Sequence, residues 1–233
     1  MIEFVFFDAG ETILHPHPSF PELFSRVAAQ HGVDVPVERV RSVQERLAPH
    51  LVDLKEATGA DKPSLSPEAS RSFWSHLYRR LLAELDVEDE ELVALLYETF
   101  SDMSSYKLFD DALPTLEELT RRGYRLGLIS NFERWLEEML VELEVGQHFD
   151  VSVISGIEGT EKPDQELYRI ALSKAGVPAE RAVHVGDSPA LDVAPAKAVG
   201  MHAVLLDRRN RYPDVSAPRI GALDELPDLV AGL

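Results

Sequence analysis

Ile2 to Phe7 is a short, almost unbroken apolar run of β-branched and aromatic residues that stops at Asp8-Ala9-Gly10. Such a run suits a strand buried on both faces of a parallel sheet. From Ser19 to about Phe100 the pattern turns helical. Ser19-Phe20-Pro21-Glu22 reads as a capping box, with Gly32 closing the helix it opens. A second helix is expected from about Pro36 to Ala48, ahead of Pro49. Gly59 to Pro67 reads as a loop. A third helix starts at Ser66-Pro67-Glu68 and carries Phe73, Trp74, Leu77, Leu81 and Leu82 on one stripe, the spacing of a core-facing surface. A fourth covers about Glu88 to Phe100.

Beyond Asp110 strands and helices alternate. Pro114 to Arg122 is a helix closed by Gly123, and Tyr124 to Ile129 a strand. Asn131 is placed to cap a helix over Phe132 to Glu144. Val151 to Ser155 is a strand, and Asp164 caps the helix Gln165 to Ala175, which ends at Gly176. Ala182 to Val185 is a strand, Pro189 to Val199 a helix ended by Gly200, and His202 to Leu206 a strand. This alternation predicts βαβ units and a parallel sheet, hence an α/β fold. A helical block of roughly 90 residues therefore interrupts an α/β domain after its first strand. The expected division is 1–14 with 106–233 for the sheet domain, and 15–105 for the helical one.

Composition narrows the partners. The 233 residues carry 23 basic and 41 acidic side chains, a formal charge of −18. That field repels phosphate backbones and anionic lipid, which argues against nucleic acid and membrane surfaces. It leaves room for a small anion, since a local cation reverses the field inside a cleft. There are no cysteines, so neither a disulfide framework nor thiolate chemistry is available. The first residues resemble no signal peptide, and no stretch approaches the ~20 apolar residues that span a bilayer. A cytoplasmic protein is expected, as a monomer or homodimer.

Ligands of open parallel sheets bind at the carboxyl ends of the strands. The first strand ends in Asp8, the second in Ser130-Asn131, and the segment after the third holds Lys162. The fourth ends in Gly186-Asp187-Ser188, with Asp192 five residues beyond Asp187. Each has an ordinary explanation: a turn aspartate, a helix cap, a solvated lysine. Together, three carboxylates, a lysine and a hydroxyl form a costly like-charge cluster unless a cation sits among them. A divalent ion, Mg²⁺, is the simplest such cation.

These residues, in this order, resemble the four signature motifs of the haloacid dehalogenase-like hydrolase superfamily. Phe7-Asp8-Ala9-Gly10-Glu11-Thr12 is similar to the first and Ile129-Ser130-Asn131 to the second. Lys162-Pro163-Asp164 is similar to the third, and Val185-Gly186-Asp187-Ser188 through Asp192 to the fourth. The branch that looks nearest contains hydrolases related to the insect rhythmically expressed gene-2 product. The resemblance implies a Rossmann-like core with an inserted α-helical cap of the first subfamily. It implies that Asp8 attacks phosphorus and forms an aspartyl-phosphate. It implies Mg²⁺ bound by Asp8, the Gly10 carbonyl and Asp187, with Asp192 supporting the metal directly or through water. Ser130 and the Asn131 backbone N–H then hold the phosphoryl oxygens, and Lys162 neutralises charge. The expected activity is a Mg²⁺-dependent phosphatase acting on a small phosphorylated metabolite.

One departure stands out. Family phosphatases usually carry an acid/base aspartate two residues after the nucleophile, where this chain has Gly10. The glycine usual one place later is here Glu11, as if the turn's glycine had shifted forward by one. Three explanations stay open: Glu11 replaces the acid/base, the substrate has a good leaving group, or the reaction is not phosphomonoester hydrolysis. The last admits a 2-haloacid dehalogenase, with Arg39 and Arg41 as halide-holding candidates by position only. A carboxylate at Asp187, where dehalogenases usually carry Asn, favours metal. A phosphonate hydrolase would need a cap lysine, and Lys55 and Lys62 lack motif context. A catalytically weak phospho-ligand or protein-binding homologue is the remaining alternative. His15 and His17, interleaved with Pro16 and Pro18, read as a stiff linker rather than ligands.

Overall fold

The computed structural model describes residues 1–47 and 62–233. Ala48, where the second helix was expected to end, Lys55 and the start of the Gly59 loop lie outside them. The chain divides into two units, Met1–Leu14 with Leu108–Leu233 and His15–Lys107.

The first unit is built on a six-stranded sheet of order β5-β4-β1-β6-β7-β8, every pairing parallel. The strands are β1 (Phe4–Phe7), β4 (Arg125–Ser130), β5 (Val151–Ile154), β6 (Ala182–Gly186), β7 (His202–Leu206) and the short β8 (Arg219–Ile220). β1, the first apolar run of the sequence, lies between β4 and β6 and is buried along its whole length. Two strands not legible in the pattern, β2 (Leu14–Pro16) and β3 (Tyr106–Leu108), pair where the chain leaves and re-enters this unit.

The α/β alternation supplies the layers. Helices α8 (Gln165–Ala175) and α9 (Ala194–Ala198) pack Leu167, Tyr168, Ala171 and Ala196 against Phe4, Phe6, Ile129 and Ala203. α8 starts where Asp164 accepts the Glu166 N–H, and ends at left-handed Gly176. Phe4 and Phe6 stack with centroids 4.4 Å apart. On β4, Gly127 makes room for them: an added Cβ would lie 2.8 Å from both rings. α5 (Ala112–Arg121) packs against β4, and α10 (Leu226–Ala231) against α5. Two short helices, α6 (Leu136–Glu142) and α7 (Ser155–Glu158), follow β4 and β5.

In the helical unit, α1 (Phe20–Gln30), α2 (Val37–Leu47), α3 (Pro67–Glu84) and α4 (Glu90–Phe100) surround a core of Phe24, Val40, Leu77, Leu81, Leu92 and Leu96. Ser19 and Ser66 are caps that the sequence marks, and Asp89 is one that it does not. Ser19 accepts the Glu22 N–H and donates to its carboxylate, and Ser66 and Asp89 cap α3 and α4. Trp74 departs from its expected stripe. It is 38% exposed and stacks edge-on against Phe73 and flat against Tyr78. Arg39 and Arg41 form surface ion pairs with Asp86 and Glu38. Among the described helices, none is long and apolar enough to cross a membrane.

Candidate active site

Parallel register brings the carboxyl ends of β4, β1 and β6 side by side. Asp8 follows β1, and its N–H continues the ladder by donating to the Val185 carbonyl of β6 at 2.8 Å. Its Oδ1 accepts Lys162 Nζ at 2.6 Å and Ser130 Oγ at 3.3 Å, and its Oδ2 accepts the Thr12 hydroxyl at 3.4 Å. Burial raises the Asp8 pKa; Lys162 opposes that and the Asp192 charge adds to it.

Lys162 is not a solvated surface lysine: only 2% of it is exposed. Its ammonium bridges Asp8 Oδ1 and Asp192 Oδ1, each at 2.6 Å. Burial alone would lower its pKa, but the two carboxylates outweigh that and hold it well above the ordinary lysine value. Asn131 positions it. The Asn131 amide donates to the Lys162 carbonyl at 2.9 Å and accepts the Lys162 N–H at 2.6 Å. That side chain is therefore not the expected helix cap, and α6 begins only at Leu136.

Asp192 reaches the cluster because the segment after β6 starts as a π-helical turn, Pro189–Val193, rather than as the expected regular α-helix. Such single turns of wider helix re-aim a side chain at a site. Ser188 caps it by accepting the Leu191 N–H. Asp192 is fully engaged: Oδ1 by Lys162 and by His184 Nε2 at 3.0 Å, Oδ2 by the Ser188 N–H at 2.9 Å. Burial would raise its pKa, yet Lys162 and His184 hold it far below the usual carboxylate range. Because that carboxylate is ionised, His184 Nε2 is the donor. His184, wholly buried on β6, is a site residue that the strand-end pattern does not mark. The available signal was a single polar side chain inside the apolar strand Ala182–Gly186.

Asp187 is pushed well above the usual carboxylate range, first by burial and then by the negative charges of Asp192, Asp8 and Glu11. One carboxylate oxygen from each of Asp8, Asp187 and Asp192 lies within 4.8 Å of the others. Asp8 and Asp192 share the single positive charge of Lys162, and among the described residues Asp187 faces the Arg211 guanidinium at 3.6 Å, so three carboxylates meet two cations. This oxygen-only donor set with uncompensated charge suits a hard divalent cation.

Glu11 takes the left-handed conformation, φ 56°, while Gly10 does not. The turn's glycine has therefore not shifted forward. The backbone demand remains at position 11, and a glutamate bears it. Glu11 Oε2 lies 3.7 Å from Arg209 Nη2. An added Cβ on Gly10 would meet nothing within 4 Å.

The chain is similar to known proteins in sequence and in fold. The family model for haloacid dehalogenase-like hydrolases matches residues 2–200. A glyceraldehyde 3-phosphate phosphatase of Methanopyrus kandleri is 31% identical over 98% of this chain and 92% of its own. Haloacid dehalogenase-like hydrolase domain-containing protein 3 of Danio rerio is 29% identical over 97% and 95%. The crystal structure of a magnesium-bound HAD-hydrolase from Bacillus subtilis superposes with a TM-score of 0.73 at 17% identity, covering 98% of both chains, which speaks for the fold.

Proposed function

Because the chain belongs to the haloacid dehalogenase-like hydrolase family, we propose that it is a Mg²⁺-dependent phosphatase of small phosphorylated metabolites, with Asp8 as nucleophile. The convergence of Asp8, Asp187 and Asp192, with Lys162 bridging the first and the last, carries this reading. A haloacid dehalogenase would not need a carboxylate at Asp187. The phosphatase relative supports the same choice of chemistry.

Asp8 attacks phosphorus, the ester P–O bond breaks, and the leaving oxygen departs with its electron pair. Ser130 Oγ and the Asn131 backbone N–H donate to the phosphoryl oxygens. Lys162 keeps its proton and offsets the charge that builds on them. Water then attacks the aspartyl-phosphate, releasing orthophosphate and restoring the Asp8 carboxylate. Asp8, Asp187 and the Gly10 carbonyl would hold Mg²⁺, which supplies charge neutralisation. Asp192, which accepts from Lys162, His184 and the Ser188 N–H, is an orienting anion that fixes Lys162 and would support the metal directly or through water.

Position 10 supplies no leaving-group acid, so the favoured substrates have leaving oxygens that depart unprotonated. Glu11 is the candidate for any residual acid/base role. The helical unit, 15–107, serves as the cap that sets specificity. Phosphate release from p-nitrophenyl phosphate that requires Mg²⁺ and vanishes in Asp8→Asn tests the reading. Metal-independent chloride release from 2-chloropropionate, with no phosphate release, would overturn it.

A further inference from the structure

The loop after β7 carries three arginines in four residues, Arg208, Arg209 and Arg211, in a chain of strongly negative charge. One is structural. Arg208 makes a two-pronged bridge to Asp111 at 2.7 and 2.8 Å, donates to the Thr12 carbonyl, and lies 3.9 Å over the Phe109 ring. The other two are aimed at the candidate site. Arg209 Nη2 is 3.7 Å from Glu11, and Arg211 Nη2 is 3.6 Å from Asp187. Those separations exceed hydrogen-bond range, so neither fork is saturated. Arg211 Nε is buried and has no hydrogen-bond partner.

The loop that presents them is held firmly. The nearly buried Asp207 carboxylate accepts the N–H groups of Arg211 at 2.7 Å and Tyr212 at 2.9 Å, and Arg219 Nη1 at 3.1 Å. Asn210 supplies the left-handed turn, φ 51°, a conformation asparagine tolerates, and accepts a bond from Arg219. Two arginines of about 30% exposure thus stand on a pinned loop beside the nucleophile's strand end. As ordinary surface ion pairs they would contribute little. Charge gives them a second use. Asp8, Asp187, Asp192 and Glu11 face Lys162, Arg209 and Arg211, a deficit of one positive charge. A divalent cation at Asp8 and Asp187 would take up the charge that Arg211 faces, and Arg209 holds Glu11 only at 3.7 Å, so both forks keep donors to offer a further anion.

We propose that Arg209 and Arg211 form an anion-binding subsite that recognises a second negative group on the substrate, a carboxylate or a further phosphate one to two carbons from the transferred phosphoryl. The favoured substrates are then phosphorylated organic acids or bisphosphates whose leaving oxygen departs unprotonated, as enol and acyl phosphates do, not neutral alkyl phosphates. This rests on the phosphatase reading and goes beyond it by naming the substrate class.

Three phosphonates on one scaffold isolate the second anion from turnover: propylphosphonate, 3-phosphonopropionate and propane-1,3-bisphosphonate. Calorimetric titration of the Mg²⁺-loaded protein should show one of the dianionic-plus-anionic probes binding about tenfold tighter than propylphosphonate, the size of one charged contact. Which one gains distinguishes carboxylate from phosphate. Arg211→Met and Arg209→Met should erase that preference, and Arg211→Lys should restore part of it, with melting temperatures verifying the folds. Equal affinity for all three probes, or a preference that survives both methionine variants, overturns the subsite. Failure of the phosphatase reading looks different: no phosphate release from p-nitrophenyl phosphate by the unaltered protein, whatever the phosphonates do.

Discussion

Gly186 and Asp192 are mutually exclusive with any larger side chain at position 186. An added Cβ would fall 2.7 Å from Asp192 Cβ and 2.5 Å from its Oδ2. The strand-end glycine is therefore part of the site's construction: its hydrogen lets the π turn fold Asp192 back onto Lys162 and His184.

Gly186→Ala should accordingly damage activity more than stability. The new methyl displaces Asp192, and Lys162 loses one of the two anions that fix it. A displacement of about 1 Å in a positioning group costs on the order of 10²-fold in rate, whereas overpacking costs about 1–3 kcal/mol. Phosphate release and a urea midpoint on the same preparation would check this. A rate within threefold of the unaltered protein would show that Asp192 need not stay in place.

Asp8→Asn separates catalysis from stability. Burial raises the Asp8 pKa above its value in the unfolded chain, with Asp192 adding to the rise and Lys162 only partly offsetting it. The folded state thus binds that proton more tightly than the unfolded state, and ionisation at neutral pH works against folding. Replacing the charge with an amide removes this penalty while Asp192 still pairs with Lys162. In EDTA the variant should melt at a higher temperature than the parent and release no phosphate. A lower melting temperature would mean that the Lys162–Asp8 pair is a net stabilising contact.

Magnesium should stabilise the fold independently of turnover. A ligand that binds only the native state adds about 2.7 kcal/mol at a hundredfold excess over its Kd. The melting temperature should therefore rise with Mg²⁺ concentration, and Asp187→Asn should flatten that response. Asp192→Asn tests the division of labour. If Asp192 only orients Lys162, much of the Mg²⁺ shift survives the change; a complete loss would make it a direct ligand.

The sequence read well where one short segment carries its own signal. β1 announced itself as an apolar run ending in aspartate, and Ser19, Ser66 and Asp164 marked helix starts that the structure contains. What stayed hidden depends on partners far along the chain. Asn131 looks like a cap until the Lys162 backbone, 31 residues on, takes its amide. Pro189 to Val199 has helical periodicity, but nothing in that period says that its first turn widens to aim Asp192. His184 and Arg211 acquire meaning only once β6 and the β7 loop lie beside Asp8. Glu11 is a different case: the motif marks a turn there, but only the φ angle shows which residue bears the strain.

That strain gives paired changes at adjacent positions opposite readouts. At position 10 the backbone is not left-handed, and a side chain would enter open space. Gly10→Asp is therefore tolerated, and it places a carboxyl where related phosphatases carry their acid/base. Positioned acid–base catalysis contributes roughly 10²–10⁴-fold, so turnover of an alkyl phosphate such as ethyl phosphate should rise at least tenfold. Turnover of p-nitrophenyl phosphate, whose leaving group needs no proton, should change little. At position 11 the left-handed φ of 56° costs a non-glycine residue about 1–2 kcal/mol, which glycine avoids at an entropic cost of about 0.5–1 kcal/mol. Glu11→Gly should therefore raise the urea midpoint slightly, and Glu11→Gln should leave it unchanged. The glutamine variant also decides the chemistry. A fall of two orders of magnitude would make Glu11 the working acid/base. A rate within a few-fold of the parent, together with a gain from Gly10→Asp, would mean that the position two residues after Asp8 is where the acid is missing.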